Sequence, residues 1–300
     1  MVYFRGIISL PGAETKKGSQ MTTTTLKLIA LALMLIDHIG EFIPGTPLFL
    51  RILGRASAPV FLFCSVWGFH YTHSRKTYLL RMYLCSALMG ILDGILNASV
   101  AQPYEPCYNN IFSSLLMICL FIWLWEKGDR PWKKALLTLA YLAVNAGAVL
   151  LVGLVMRSSA VTWFLSQAPG WDVTDCYLVV CGLLPNVLTC EGGFFLIIMG
   201  IVLHFCKGSR KKLCWGYGLY CGAYLGILVC MGLSNPSDLS AGNWLEFLFR
   251  DAIQWLQILS LPLMLLYNGQ RGRNLKYLFY IFYPLHITVL FCLGNFLAAR

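Results

Sequence analysis

Leu26–Arg55 reads LKLIALALMLIDHIGEFIPGTPLFLRILGR. An apolar run long enough to enter a bilayer as a helix carries Asp37, His38 and Glu41 toward its far end. A short turn with Pro44, Gly45 and Pro47 leads into a second apolar run bearing Arg51 and Arg55. Ionisable side chains inside a membrane cost about 3 kcal/mol each or more, so they mark a functional site by default. The plainer reading is a set of ion pairs that only fastens two helices together. Lys27 and His38 stand eleven residues apart, close to three helical turns. They share one helix face with a rise of roughly 16 Å between them. Glu41, three residues after His38, can pair with or orient the imidazole. Arg51 and Arg55 also share a face, and Pro59 cannot donate to the Arg55 carbonyl. The free carbonyl must line a cavity or find another partner.

The rest of the chain supplies the setting. Of 300 residues 58% are hydrophobic and 12% charged, with mean hydropathy +0.68. A soluble domain carries about twice that share of charge. An all-α, polytopic transmembrane helix bundle follows. The net charge of +10 does not point to nucleic acid, because the basic residues fall in short connections between apolar runs. The partner implied is the lipid bilayer. Twelve cysteines without a CxxC pair, such as Cys85, Cys119, Cys221 and Cys230, read as small apolar residues within helices. No metal centre or disulfide framework is expected.

Nine spans are expected at 26–43, 50–70, 77–97, 110–126, 134–155, 190–206, 213–233, 250–268 and 276–297. Basic connections (Arg75, Lys76, Arg81; Lys127–Lys134; Lys207–Lys212; Arg271–Lys276) alternate with connections holding Glu105, Asp172 and Asp175, or Asp238 and Glu246. The positive-inside rule then puts the N-terminus and basic loops in the cytoplasm, as for a multi-pass protein of the inner membrane. The apolar piece 176–188, broken by Gly182 and Pro185, reads as re-entrant or interfacial; if it spans, the count becomes ten. Gly218, Gly222 and Gly226 form a ridge that lets another helix approach. Residues 1–20 are polar and patternless. They read as a disordered extension, or as lying upstream of a second possible start at Met21; residues 21–300 read as one domain.

In this topology Asp37, His38, Glu41, Arg51, Arg55, Asp93 and Asn97 lie in the outer half of the bundle, around an expected outward-facing cavity. His286 lies near the middle of the last span. Glu191 and Arg250 read as ordinary interfacial charges, and His70 and His73 as interfacial residues of an inner loop.

The stretches KLIALALMLIDHIG (27–40), LRILGRASAPVFLF (50–63), HSRKTYLLR (73–81) and YLFYIFYPLH (277–286) together resemble, in that order, the TraX family of membrane proteins. The resemblance runs from about Thr25 to Leu290. It implies an acetyltransferase: the family's named member N-acetylates the pilin subunit of a conjugative plasmid. Lys27-x10-His38 is also similar to the Lys/Arg-x10-His motif on the first helix of a large class of membrane acyltransferases. On this reading the co-substrate is acetyl-CoA. Its phosphates would meet Lys27 and the basic side chains Arg75, Lys76 or Arg81. His38 would be the general base, with Asp37 or Glu41 fixing its tautomer and Arg55 stabilising the oxyanion. Arg51 and Asp93 would face the acceptor, an exported protein, glycan or lipid. His286 is either a second catalytic group or a packing residue. Two other classes fit the same polar residues: a proton-coupled transporter or flippase, and a membrane assembly factor without catalysis.

Overall fold

The structure, a computed structural model, describes residues 21–100, 103–234 and 244–300. The expectation for residues 1–20 lies outside them. Helices α1 (Thr23–Phe42), α2 (Phe49–Gly54), α3 (Ser57–His70), α4 (Arg75–Ala98), α5 (Ile111–Lys127), α6 (Pro131–Met156), α7 (Ser159–Gln167), α8 (Val173–Leu183), α9 (Gly193–Phe205) and α10 (Arg210–Ser234) follow one another. After them come a short α11 (Trp244–Glu246), a π turn (Phe247–Asp251), a 3-10 helix (Ile253–Ser260), α12 (Leu261–Leu265) and α13 (Lys276–Ala298). No strand occurs among the described residues, and the fold is an all-α membrane bundle. Among the described residues five helical runs are long and apolar enough to cross a membrane: Phe49–His70, Arg75–Ala98, Pro131–Met156, Arg210–Leu233 and Tyr277–Ala298.

Local chemistry sets the ends. The Thr22, Ser74 and Asn110 side chains accept from the backbone N–H three residues on and start α1, α4 and α5; Asp172 and Asp175 form a reciprocal capping box at α8. Pro131 opens α6 at a position where its missing N–H costs nothing. Pro59, at the third residue of α3, withholds a donor from Arg55, and the second expected span divides there into α2 and α3.

One end of the bundle, called the basic end here, gathers the start of α1, the end of α3, the start of α4 and the ends of α5 and α9. There Met21 and Thr23 bond to the backbone of Leu266 and Gln270, and His70, Arg75 and His204 surround Glu126. At the opposite end Gly294 of α13 lies against Phe42, Gly170 against Ala98, and the Tyr104 N–H on Asn295.

Between these ends the described chain makes nine passages, and a helical element matches each expected span. The sixth differs in kind. Helix α8 runs antiparallel along α4 from near Ala98 down to Tyr83, with Gly182 against Gly90 and the Tyr83 hydroxyl donating to the Leu183 carbonyl at 3.1 Å. Helix α9 then continues to Glu126 at the basic end. With 11 and 13 residues, these helices are roughly 16 and 20 Å long. Neither covers a hydrocarbon core of about 30 Å alone, but end to end they do. The piece 176–188 is therefore neither a separate re-entrant segment nor a tenth span. It is the first half of a broken sixth passage.

Breaking a helix inside a membrane exposes backbone groups that need partners. Here Asn186 Oδ1 accepts from the Leu188 and Thr189 N–H groups at 3.0 and 3.1 Å. Asn145 Oδ1 accepts from Val187 at 2.9 Å, and the Ser114 hydroxyl donates to the Glu191 carbonyl at 2.5 Å. The fourth passage also begins without helix: Pro103–Asn110 is an irregular strap that ends with the Asn110 side chain on the Ser86 carbonyl, midway along α4. The glycine ridge of α10 finds no such use. Nothing among the described residues comes within 4 Å of a Cβ placed on Gly218, Gly222 or Gly226.

Candidate active site

The site forms where α1, α2, α13 and the strap meet. Four hydrogen bonds run in one direction through it. The Tyr108 N–H donates to Asn109 Oδ1 at 3.3 Å, Asn109 Nδ2 lies 3.1 Å from His38 Nε2, His38 Nδ1 lies 2.7 Å from His286 Nε2, and His286 Nδ1 lies 2.7 Å from the Phe282 carbonyl. A backbone N–H can only donate and a carbonyl can only accept, so both ends of the chain are fixed. The bonds between must then all point the same way when both rings are neutral. His286 donates from Nδ1 and accepts at Nε2; His38 donates from Nδ1 and keeps its lone pair on Nε2. The two imidazoles stack with centroids 4.9 Å apart, and Tyr283 stands edge-on to both. Asn109, His38 and His286 are all buried.

The tautomer-fixing partner is thus His286, not Asp37 or Glu41 as the sequence suggests. Glu41 Oε2 lies on the other side, 3.9 Å from His38 Nε2, where it favours the ring once protonated. Arg51 holds Glu41 at 2.6 Å and Asp37 at 3.3 Å. Arg55 donates to Asp37 through one terminal nitrogen, to Gln254 Oε1 through the other at 3.1 Å, and to the Arg51 carbonyl through Nε at 3.3 Å. These bonds use three of the five guanidinium N–H groups and hold Arg55 as the counter-charge of Asp37. Gly54 makes this packing possible, because a Cβ there would overlap the Asp37 side chain. Asp37, His38 and Glu41 lie close enough together to share one ion. A metal would have to displace a guanidinium from each carboxylate.

Asp93, expected to face the acceptor, is buried and accepts from the Cys107 thiol at 3.2 Å. Beside it Asn97 bonds both backbone groups of Cys107, at 2.9 and 2.8 Å. These residues fasten the strap that carries Asn109. The expected outward-facing polar lining is accordingly a packed cluster with the strap among its members.

The residues expected at the donor end do not all converge. Lys27 lies over the Phe279 ring at 5.5 Å, and Arg81 sits near Tyr280 with its Nε buried and without a hydrogen bond, so these two flank α13. Lys76 is exposed. Arg75 is bound to Glu126 at 2.5 Å, with His70 and His204 at 3.6 and 3.8 Å from the same carboxylate. Burial pushes the nearby Lys207 ammonium below its ordinary range.

Sequence reasoning missed three members. Asn109 precedes the N-cap Asn110, and the Asn-Asn pair reads only as a helix start. Glu191, expected as an interfacial charge, lies in the break of the sixth passage and accepts from the Tyr283 hydroxyl at 3.1 Å. Gln254 shares Arg55 from the 3-10 segment.

The chain matches the family described as TraX protein over residues 22–229 and 238–294. The match runs through 98–189, which the quoted stretches leave uncovered. Neither a curated protein nor a solved structure matches the chain.

Proposed function

Because the chain belongs to the TraX family, we propose that it is an inner-membrane acetyltransferase that takes acetyl-CoA at the basic, cytoplasmic end. It passes the acetyl group to an amine presented from the opposite side, such as the N-terminus of a pilin or another exported polypeptide. The observation that carries this reading is the directed chain from Tyr108 to Phe282, which keeps a lone pair on His38 Nε2 inside a membrane bundle. Nothing in helix packing requires a base poised in that way.

In the reaction the acceptor reacts as the free amine, having released its ammonium proton to water, and His38 Nε2 takes a second proton from that nitrogen as it attacks the thioester carbon. The imidazolium is held between the lone pair of His286 and the Glu41 carboxylate. When the tetrahedral intermediate collapses, the C–S bond breaks and the proton returns from Nε2 to the leaving thiolate. Lys27 and Arg81 stand where a polyanion entering beside α13 would pass. From Lys27 to His38 the helix rises roughly 16 Å, a span for a thin arm carrying the thioester.

Charge balance favours an amine over an anionic acceptor. Glu41 lies within electrostatic reach of Glu105 and of Glu191, and Glu191 of Asp93. Arg51 and Arg55 balance Asp37 and Glu41, which leaves Glu105 as the further acidic group that disfavours an anion at the opposite end. Glu105 at the opposite end is held above the usual carboxylate range, first by partial burial and then by Glu41.

The test is thioester consumption by the purified protein in lipid nanodiscs, with labelled acetyl-CoA and acceptors bearing either a free amine or only hydroxyls. The expected result is amine-dependent thiol release and a labelled amide that resists hydroxylamine. Folded protein that consumes no thioester with any acceptor overturns the reading. The broken sixth passage also suits a proton-coupled transporter. That protein would move solute into liposomes and leave acetyl-CoA intact.

A further inference from the structure

Resting on the acetyltransferase reading, we infer that Asn109 is a catalytic residue, the donor that stabilises the oxyanion of the tetrahedral intermediate. Its position is fixed by bonds unrelated to the reaction. Cys107, two residues before it, is clamped by Asn97 through both backbone groups and by Asp93 through the thiol. Asn110, the next residue, caps α5 and bonds the Ser86 carbonyl at 3.0 Å. The strap cannot slide without breaking this set. Asn109 Oδ1 accepts from the Tyr108 N–H, which orients the amide so that Nδ2 turns to His38.

The Asn109 amide group has two N–H bonds. One caps the His38 lone pair at 3.1 Å; the other has no hydrogen-bond partner among the described residues, although the side chain is buried. A buried N–H without an acceptor costs about 1–3 kcal/mol. That cost is removed when an acceptor arrives.

In the reaction the acceptor's N–H takes over the lone pair of Nε2, which releases the first Asn109 N–H as well. Both are then held beside the reacting carbon by a strap that does not reorganise, as electrostatic stabilisation demands. As the N–C bond forms, the carbonyl π electrons move to oxygen and Asn109 donates to it. As the C–S bond breaks, those electrons return and the thiolate leaves with the proton from His38. Arg55 is committed as the counter-charge of Asp37 and bonds Gln254 and the Arg51 carbonyl as well, which holds its guanidinium at that carboxylate.

The experiment compares wild type, Asn109→Ala and Asn109→Asp as full-length protein in nanodiscs, with acetyl-CoA and a short peptide bearing a free N-terminal glycine. Matched monodisperse amounts keep misfolding apart from loss of rate. Losing one oxyanion donor lowers kcat about a hundred- to a thousandfold. Asn109→Ala should show that loss with KM for acetyl-CoA within about twofold of wild type. Asn109→Asp keeps the shape and replaces the donor by an acceptor, so its loss should persist at every pH between 6 and 9. If Asn109 only caps His38, Asn109→Ala frees the base and runs within threefold of wild type. In that case Asn109→Asp, which raises the basicity of His38, regains its rate at higher pH. Either result overturns the inference. Wild type that neither acetylates the peptide nor consumes acetyl-CoA removes the transferase reading itself, and this inference with it.

Discussion

His286→Ala separates a histidine that positions another from one that shares its chemistry. In the folded protein His38 Nδ1 donates to His286 Nε2 at 2.7 Å, while Nε2 meets the longer Asn109 bond at 3.1 Å. The short bond favours the Nδ1–H tautomer by about the net worth of one buried hydrogen bond, roughly 1–1.5 kcal/mol. Removing it frees the proton to move to Nε2, the atom that must be a lone pair for catalysis. A bias of about 1.4 kcal/mol corresponds to a tenfold population ratio. Without that bias only about half of the rings keep the lone pair on Nε2, so His286→Ala should lower kcat about twofold through the tautomer and leave KM for acetyl-CoA nearly unchanged. His286→Gln offers an amide oxygen to Nδ1–H and should recover most of the rate. The assay is initial-rate thiol release in nanodiscs, with folded amounts matched by size exclusion. A His286→Ala loss as large as that of His38→Ala would make His286 a participant in the chemistry. No loss at all would mean that the His286 bond does not set the tautomer.

Gly54→Ala forces a methyl group into the Asp37 side chain; overpacking of this kind costs about 1–3 kcal/mol, read as a fall in melting temperature of the detergent-solubilised protein. An unchanged melting temperature would show that α2 and α1 pack more loosely than described. Glu105→Gln should raise KM for a cationic peptide at neutral pH without changing kcat. Because the Glu105 carboxyl titrates above the ordinary glutamate range, wild type should lose its advantage early as pH falls, and the two should coincide once Glu105 is protonated. Lys27→Gln should raise KM for acetyl-CoA while Lys27→Arg largely restores it. Equal, small effects would remove Lys27 from the donor path.

Much of the site was legible because it is local. Helical period alone places Lys27, His38 and Glu41 on one face. The residue order Arg51, Arg55 and Pro59 contains both the pairing charges and the division between α2 and α3. The limits of most passages follow from apolar length and capping residues and fall close to the expected ones, whereas the sixth begins at Val173 and not near 190. What escaped is set by distant contacts. Asn109 reaches His38 only because Asn97 and Asp93, on α4, hold Cys107, and no pattern within 103–110 announces that. Glu191 becomes a site residue through a break whose backbone is satisfied by Asn145, Asn186 and Ser114, three positions on three separate segments. Charge in a loop shows how many cations a membrane face holds, but not which are already paired. Arg75 reads as an anion contact until Glu126 is seen beside it.

The most direct test of the central claim is acetyl transfer by His38→Gln. Glutamine can keep a hydrogen bond in the interior but cannot take a proton. With folded, membrane-inserted protein at wild-type levels, the rate should fall about a hundred- to ten-thousandfold. A well-folded His38→Gln protein with near-normal acetyl transfer would contradict a catalytic imidazole.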